Sequence, residues 1–431
     1  MAQCVTATVL ERIARRAIAA SNGSVFVEAA LLDHRGTPWI VGVGKAVGAM
    51  AEGARRALGM RFRSGPLIGK HVGPDGIDVI VAGHPLPDVR GVKAARALLE
   101  FVHGRRGEEE IVLLLSGGAS ALLAAPVGGV SLAGLRAATD GLVRAGARID
   151  EVNCVRRHLG LALGGRLAIA TRARVVVLAL SDVVGDDPAA IGSGPASPDP
   201  STVADALGVM RAFDLAGEVR DLLEHGAIHE TPKPGDPRFS RVDYRLLATP
   251  VTLRERAAAE ARAEGIEVRV ETPLVTGEVE AVAARYLAIA DTLAPGEILV
   301  AVGEPTVPMR GGPDSMGISN KMSRARFPGR GGRAQHLALL VARAIAERPL
   351  AFLAIGSDGT DGPTDDAGAL VDGATVSHAR SLGFDVDLAL AGMNSSSLLG
   401  AAGALLRTGP TGTNLCDLHL LAALDPAVCR R

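Results

Sequence analysis

Four short apolar runs, WIVGVG (39–44), IDVIVAG (77–83), IVLLLSGG (111–118) and VVVLALSD (175–182), each end in glycine or aspartate. Between them lie Ala-, Leu- and Arg-rich stretches with helical spacing, such as 46–58 and 91–102. Apolar runs of this length read as strands buried on both faces. Their alternation with helices predicts an α/β protein with parallel strands and helices on both faces of the sheet. In such sheets ligands bind outside the carboxyl ends of the strands, so the turn leaving each run is where chemistry is expected.

A chain of 431 residues exceeds one ordinary core. The segment TPKPGDPRF (231–239) carries three prolines and precedes a new run, YRLLATP (244–250), which predicts two domains, 1–240 and 241–431. The second is again α/β, with runs at 266–272, 296–305 and 350–356. The stretch 311–333 has no periodicity and reads equally as a lid or binding loop and as a surface insertion. A net charge of -1 and an aromatic content of 3% leave neither a basic footprint nor a stacking platform, so nucleic acid is not an expected partner. The opening helix pattern carries Glu11, Arg12, Arg15 and Arg16 and is amphipathic, and no apolar run is long enough to cross a bilayer. Cys4, Cys154, Cys416 and Cys429 are scattered without a CxxC pair, which argues against a zinc site or disulfide scaffold and fits a reducing cytoplasm. A small-molecule substrate is the expectation, and a homodimer is the one assembly left open.

Of 46 basic residues all but five are arginine, so Lys45 at the turn after the first run stands out. An ammonium at a strand-to-helix turn is placed to meet an anion. Gly42, Gly44 and Gly48 around it approximate a dinucleotide fingerprint, but the last glycine is one residue late, and the next strand ends in Lys70 and His71 where an acid is needed. Ser116, Gly117, Gly118 and Ser120 form the clearest anion cradle. Asp182, Asp186 and Asp187 follow another strand, a grouping of hard oxygens suited to Mg²⁺ carrying nucleotide phosphates; capping accounts for one of them. His84 and Asp88 lie in a loop stiffened by prolines. Asn153, Arg156, Arg157 and His158 cluster before a glycine pair, and an arginine fork suits a carboxylate or phosphate. Arg330 and Arg333 begin a glycine-led helix. Asp358, Asp361, Asp365 and Asp366 crowd the loop after 350–356, and Asn394, Thr408, Thr411, Thr413, Asn414 and Asp417 are polar groups suited to lining a cleft.

Taken in order, GKA (44–46), GHPLPD (83–88), SGGASALL (116–123), SDVVGDD (181–187), GSGP (192–195), DGTDGPTDDAGA (358–369) and TGPTGTN (408–414) resemble the glycerate 2-kinase family, whose C-terminal half is the MOFRL domain and whose members are often labelled hydroxypyruvate reductases. The resemblance implies a Rossmann-like doubly wound N-terminal domain, a MOFRL-like α/β domain and an active site in the cleft between them. It implies phosphorylation of D-glycerate at the 2-hydroxyl by ATP and Mg²⁺. The family's catalytic lysine and arginine fall on Lys45 and Arg333. Asp361 is then expected to orient or deprotonate the acceptor, with Asp182 or Asp187 on the metal. Ser116, Gly117, Gly118, Ser120, Thr413 and Asn414 are expected around the nucleotide, and His84, Asp88, Asn153 and Arg156 around the substrate. Ala334, His336 and Leu163 depart from the family's Asn, Glu and Lys. The rival readings are an NAD(P)H-dependent hydroxypyruvate reductase and a non-catalytic nucleotide or sugar-acid sensor.

Overall fold

The computed structural model of the chain describes residues 5–307 and 329–424. Residues 311–328 of the aperiodic stretch 311–333, Cys4 and Cys429 therefore lie outside the described residues. Two compact units are present. The first is Asn22–Thr249 with Gly412–Asn414, and the second comprises the described parts of 1–21, 250–411 and 415–431.

In the first unit the apolar runs become β1 (Trp39–Val43), β2 (Arg63–Gly69), β3 (Ile80–Val81), β4 (Glu110–Leu115), β5 (Arg174–Leu180) and β6 (Val242–Ala248). They lie in the order β3-β2-β1-β4-β5-β6, and every neighbouring pair is parallel. This is the doubly wound arrangement expected from the alternation. The chain builds away from β1 in one direction, then returns at β4 to build the other way, so the topological switch point lies between β1 and β4. Residues Ile111–Leu115 and Val175–Leu180 are all buried, which is why these runs lack polar alternation; each such side chain contributes roughly 1.5–3 kcal/mol on burial.

The expected boundary at residue 240 is corrected by the sheet. β6 pairs in parallel with β5 and so closes the first sheet instead of opening the second unit. The proline-rich segment before it is tied to the first unit: Asp199 N donates to Pro232 O (2.9 Å), and Thr231 Oγ1 donates to Asp199 Oδ2 (2.8 Å). The opening helix, Ala7–Ala20, belongs to the second unit. Its apolar stripe buries Leu10, Ile13, Ala14 and Ala17 completely, and it packs beside the helix Pro250–Ala263. Arg12 Nε donates to Glu264 (2.8 Å), and Arg256 Nη1 donates to the carbonyl of Ala20 (2.6 Å).

The second unit holds β7 (Glu267–Val270), β8 (Glu297–Gly303), β9 (Leu350–Gly356), β10 (Gly368–Asp372), β11 (Leu405–Leu406) and β12 (Asp417–Ala423), in the order β11-β10-β9-β12-β8-β7. β7 and β8 pair in parallel, whereas β12 runs antiparallel to both of its neighbours and β10 antiparallel to β9 and β11. The sheet is mixed, because the last strand enters between β8 and β9 against their direction. Both faces are covered: Leu299, Ala301, Phe352 and Ala354 pack with the helix Arg333–Ala344, and the alternate residues Ile298, Val300 and Val302 are equally buried. Among the described residues no helix is long and apolar enough to cross a membrane.

The placement of the first helix is testable. Ile13→Ala should destabilise the protein by about 2–5 kcal/mol, the range for a truncated buried aliphatic side chain. Hydrogen exchange should rise in Pro250–Ala263 and not in the first-unit helices. Faster exchange confined to residues 22–60 would show that the opening helix serves the first unit.

Candidate active site

The carboxyl ends of β1 and β4 are hydrogen-bonded to each other. Gly44 has φ +134°, and a β-carbon there would fall 2.1 Å from Ser116 Oγ, so the first turn can approach the second only with glycine at this position. Lys45 N donates to Gly117 O (3.0 Å), and Ala46 N donates to Ser116 Oγ (3.1 Å). Ser116 is fully buried. The expectation that it faces a nucleotide is replaced by a role as the strut that holds the lysine turn.

Beyond this strut the backbone opens. Gly118 is left-handed (φ +86°), and a β-carbon on it would lie 3.0 Å from the His84 ring and 3.2 Å from Lys45 Cγ. A β-carbon on Gly117 would lie 1.7 Å from Asp182 Oδ2 and 2.0 Å from Asn414 Nδ2. Asn414 Nδ2 donates to Asp182 Oδ2 at 2.6 Å. Lys45, His84, Gly117, Gly118, Asp182 and Asn414, drawn from five separate segments, therefore meet at the switch point. Thr413 is buried beside Asn414.

A second layer supports Ser120. Its hydroxyl is 2.7 Å from Ser193 Oγ, which in turn donates to Asn153 Oδ1 (3.0 Å). Ser193 has φ +59° between two left-handed glycines, a strained backbone that turns its side chain inward. The sequence places Ser193 only within GSGP; a serine flanked by two glycines after a strand-end acidic loop is the signal that could have marked it. Asn153 is buried and stands behind the serines, a position that replaces the expected direct contact with substrate.

Of the two adjacent arginines, Arg157 is structural, since its Nε lies 2.9 Å from the fully buried Asp199. Arg156, three residues after Asn153 on the helix Ile149–Leu159, is the informative one. It is half-buried in a cavity lined also by Pro85, Ser120 and Leu163, and burial disfavours its charge. Among the described residues its guanidinium has no hydrogen-bond or ion-pair partner. Leu163 is itself 2 % exposed and belongs to the apolar core, so the departure from lysine there is accommodated by packing.

Two expected ligand contacts become local caps. Asp88 caps the helix Val89–His103, accepting from Gly91 N (2.9 Å), and Asp187 accepts from Ala189 N (2.9 Å) in its own turn. In each case a backbone N–H two or three residues ahead captures the carboxylate. No group of three or more His, Cys, Asp or Glu side chains suited to a metal occurs among the described residues. Asp182, held by Asn414, lies against the cradle backbone at Gly117.

In the second unit Arg333 begins its helix and is gripped by Asp417 (Nε to Oδ2, 2.7 Å) and Glu304. Burial opposes its charge, but the two carboxylates outweigh burial and hold the guanidinium protonated. Glu304 was not singled out in the sequence; its signal is an acid near the end of the run 296–305. Asp361 is 3 % exposed and accepts from Ala334 N (3.2 Å) and Gln335 N (2.8 Å), so it caps the arginine's helix from another loop. That geometry replaces the expected role at an acceptor hydroxyl. Asp358 folds back on Thr360 N (2.9 Å), and Asp366 pairs with Arg407 (2.6 Å). Ala334 is core, and the departure at His336 is satisfied by Ser395 Oγ at 3.1 Å.

Burial, and then the nearby charge of Asp417, push the Asp361 carboxyl up to about 7. An unfolded aspartate titrates near ~3.9, so this group holds its proton more tightly when folded. Its contribution to stability is complete below about pH 4 and is lost as pH rises to about 7. Asp361→Asn should therefore be less stable than the parent by a margin that shrinks between pH 4 and pH 8 in urea unfolding. A margin that widens over this range would mean that the folded carboxyl is ionised throughout.

A doubly wound sheet with a glycine cradle, a lysine and a carboxylate at its switch point defines an α/β protein equipped to bind an anionic ligand. Residues 1–224 match the family described as Domain of unknown function (DUF4147), and residues 297–417 match the MOFRL family. The chain is 36% identical over 385 residues to a D-glycerate 2-kinase of Thermotoga maritima, covering 88% of this chain and 89% of the relative. It is 33% identical to a glycerate 2-kinase of Pyrococcus horikoshii, covering 94% and 91%. Its structure matches the crystal structure of glycerate kinase from Thermotoga maritima with a TM-score of 0.79 at 33% identity, covering 97% of this chain and 99% of that one. The chain belongs to the glycerate 2-kinase family.

Proposed function

We propose that this protein is a kinase that transfers a phosphoryl group from ATP to the 2-hydroxyl of D-glycerate, giving 2-phosphoglycerate. The observation that carries the reading is the meeting of Lys45, His84 and the Gly117–Gly118 backbone at the switch point, beside an arginine without a counter-charge. Phosphoryl transfer passes through a loose transition state, so catalysis is mainly positioning and charge stabilisation and needs little covalent help from the protein.

The cradle fits a nucleotide's phosphates. A side chain at Gly117 would collide with Asp182 and Asn414, so glycine there lets those two groups lie against the cradle backbone. Lys45 neutralises charge on the transferring phosphoryl oxygens. Asp182, oriented by the Asn414 amide, is the carboxylate that would face a Mg²⁺ ion brought with the nucleotide, and such ions need only one or two protein carboxylates. The ion supplies further neutralisation of phosphate charge. Arg156 takes the acceptor's carboxylate through its fork, and the Ser120–Ser193–Asn153 relay fixes the wall beside it. Arg333 is less suited to supply net positive charge, because two carboxylates already surround it.

Mixing the protein with D-glycerate, Mg²⁺ and ATP should release ADP, and phosphorus NMR of the product should place the phosphate on the 2-oxygen. Lys45→Met should lower kcat by roughly 10²–10³, the loss typical of one removed electrostatic donor. NADH or NADPH oxidation with hydroxypyruvate and no ADP release would favour the reductase instead. The imperfect glycine turn at 42–48 is the feature that favours that outcome, and it lacks its ribose partner, since β2 ends at Gly69 and is followed by Lys70 and not by an acid.

Arg156→Gln should raise KM for D-glycerate by roughly 10–100-fold, the equivalent of losing charge-assisted hydrogen bonds worth about 1.5–3 kcal/mol. The variant's Tm should be equal to or above the parent's, because a partly buried cation without a partner is removed. A lowered Tm with unchanged KM would assign Arg156 to the fold.

A further inference from the structure

The first sheet has a second feature at its opposite edge, where the chain enters β4, β5 and β6. A groove of about 690 Å³ lies there, lined by Arg105, Arg106, Arg172, Arg238 and Arg241 and by one acid, Glu108. Its walls come from three loops, each immediately preceding a strand, so the sheet fixes their spacing.

Two of these arginines are committed elsewhere. Arg105 lies over the Phe101 ring (4.6 Å to the centroid) and 3.6 Å from Glu109. Arg238 donates to Asp236 through Nε (3.0 Å) and Nη2 (2.5 Å), and these bonds hold the Asp236 carboxyl down at about 2. Arg106 and Arg172 have no carboxylate partner among the described residues, and Arg241 makes no hydrogen bond to one, although its charge acts on Asp236. Arg241 Nε is moreover buried without an acceptor. A desolvated N–H left without an acceptor is destabilising, so an acceptor supplied from outside would recover that loss. The other acids nearby are occupied: Glu110 by Arg174 and His34, and Asp243 by Arg245.

Two guanidinium groups without a counter-charge, Arg106 and Arg172, and the unsatisfied Nε of Arg241 around a concave surface, in a chain whose net charge is -1, select a compact anion of high charge density. Planar forks match the oxygens of a phosphate bidentately. The volume suits a small organic molecule. We propose that this groove binds a phosphomonoester, at a site distinct from the switch point. β4 separates the two sites by its six residues, roughly 20 Å at strand rise.

Limited modification of the full-length protein with phenylglyoxal, mapped by peptide mass, tests this directly. Glycerol phosphate should protect Arg106, Arg172 and Arg241, inorganic phosphate should protect them more weakly, and glycerol should not. Protection should persist in Lys45→Met. Arg172→Gln and Arg241→Gln should each weaken glycerol phosphate binding at this site by about tenfold, the loss of one charge-assisted contact, with kcat for the phosphoryl transfer unchanged. Equal protection by glycerol, or loss of protection in Lys45→Met, would overturn the proposal. So would unchanged binding in the folded glutamine variants. Inorganic phosphate protecting as well as the ester would reduce the site to a free-phosphate site and overturn the ester assignment. The footprint on the unaltered chain decides the matter even where a glutamine variant fails to fold.

Discussion

Everything at the switch point depends on how closely two backbone turns approach. Gly44 and Ser116 sit where a single β-carbon would collide, and the amides of Lys45 and Ala46 are tied to the β4 turn. Because β1 and β4 are adjacent parallel strands, their carboxyl ends are already side by side, and the two hydrogen bonds remove the remaining freedom of the loops. Lys45 is thereby delivered beside Gly118. The buried hydroxyl of Ser116 makes one of these two bonds, which explains why a residue that reads as a ligand donor is a framework element.

The second unit solves a different electrostatic problem. A buried arginine needs counter-charge, and Asp417 and Glu304 provide it. A third carboxylate, Asp361, is drawn in to satisfy the first amides of the arginine's helix. Three acids around one guanidinium leave an excess of negative charge, and burial resolves it by raising the affinity of Asp361 for a proton. The density of aspartates in DGTDGPTDDAG thus follows from turn formation at Asp358, capping at Asp361 and ion pairing at Asp366, with Asp365 exposed.

The two edges of the first sheet contrast in their chemistry. At the carboxyl edge cations are sparse and individually placed, with a lysine, an arginine and a carboxylate held by an amide. At the amino edge arginines are many, and only some are matched by acids. The same parallel sheet rigidly spaces both sets of loops, so a single scaffold presents two anion-attracting surfaces with different precision.

Much of this was legible in the sequence because it rests on local rules. Uninterrupted apolar runs separated by helical spacing require buried parallel strands, so the doubly wound unit follows from period and length. Lysine scarcity marked Lys45, and the glycine pair marked the cradle. The residues Asn153 to His158 were marked as a group, but only packing separates Arg156, which lacks a partner, from Arg157, which buries its charge against Asp199. Likewise Asp88, Asp187 and Asp361 look alike as strand-end acids, and which N–H each meets depends on backbone direction beyond the sequence's reach. The unit boundary failed for the same reason: prolines report where a chain turns, whereas pairing of β6 with β5 and burial of the Ala7–Ala20 stripe are contacts between distant segments. The sequence by itself determined the strands, the turns and the chemical inventory, because these obey short-range sterics and burial. Tertiary structure alone decided which charges are spent on one another and which remain for a ligand, because that depends on distances between residues far apart in the chain.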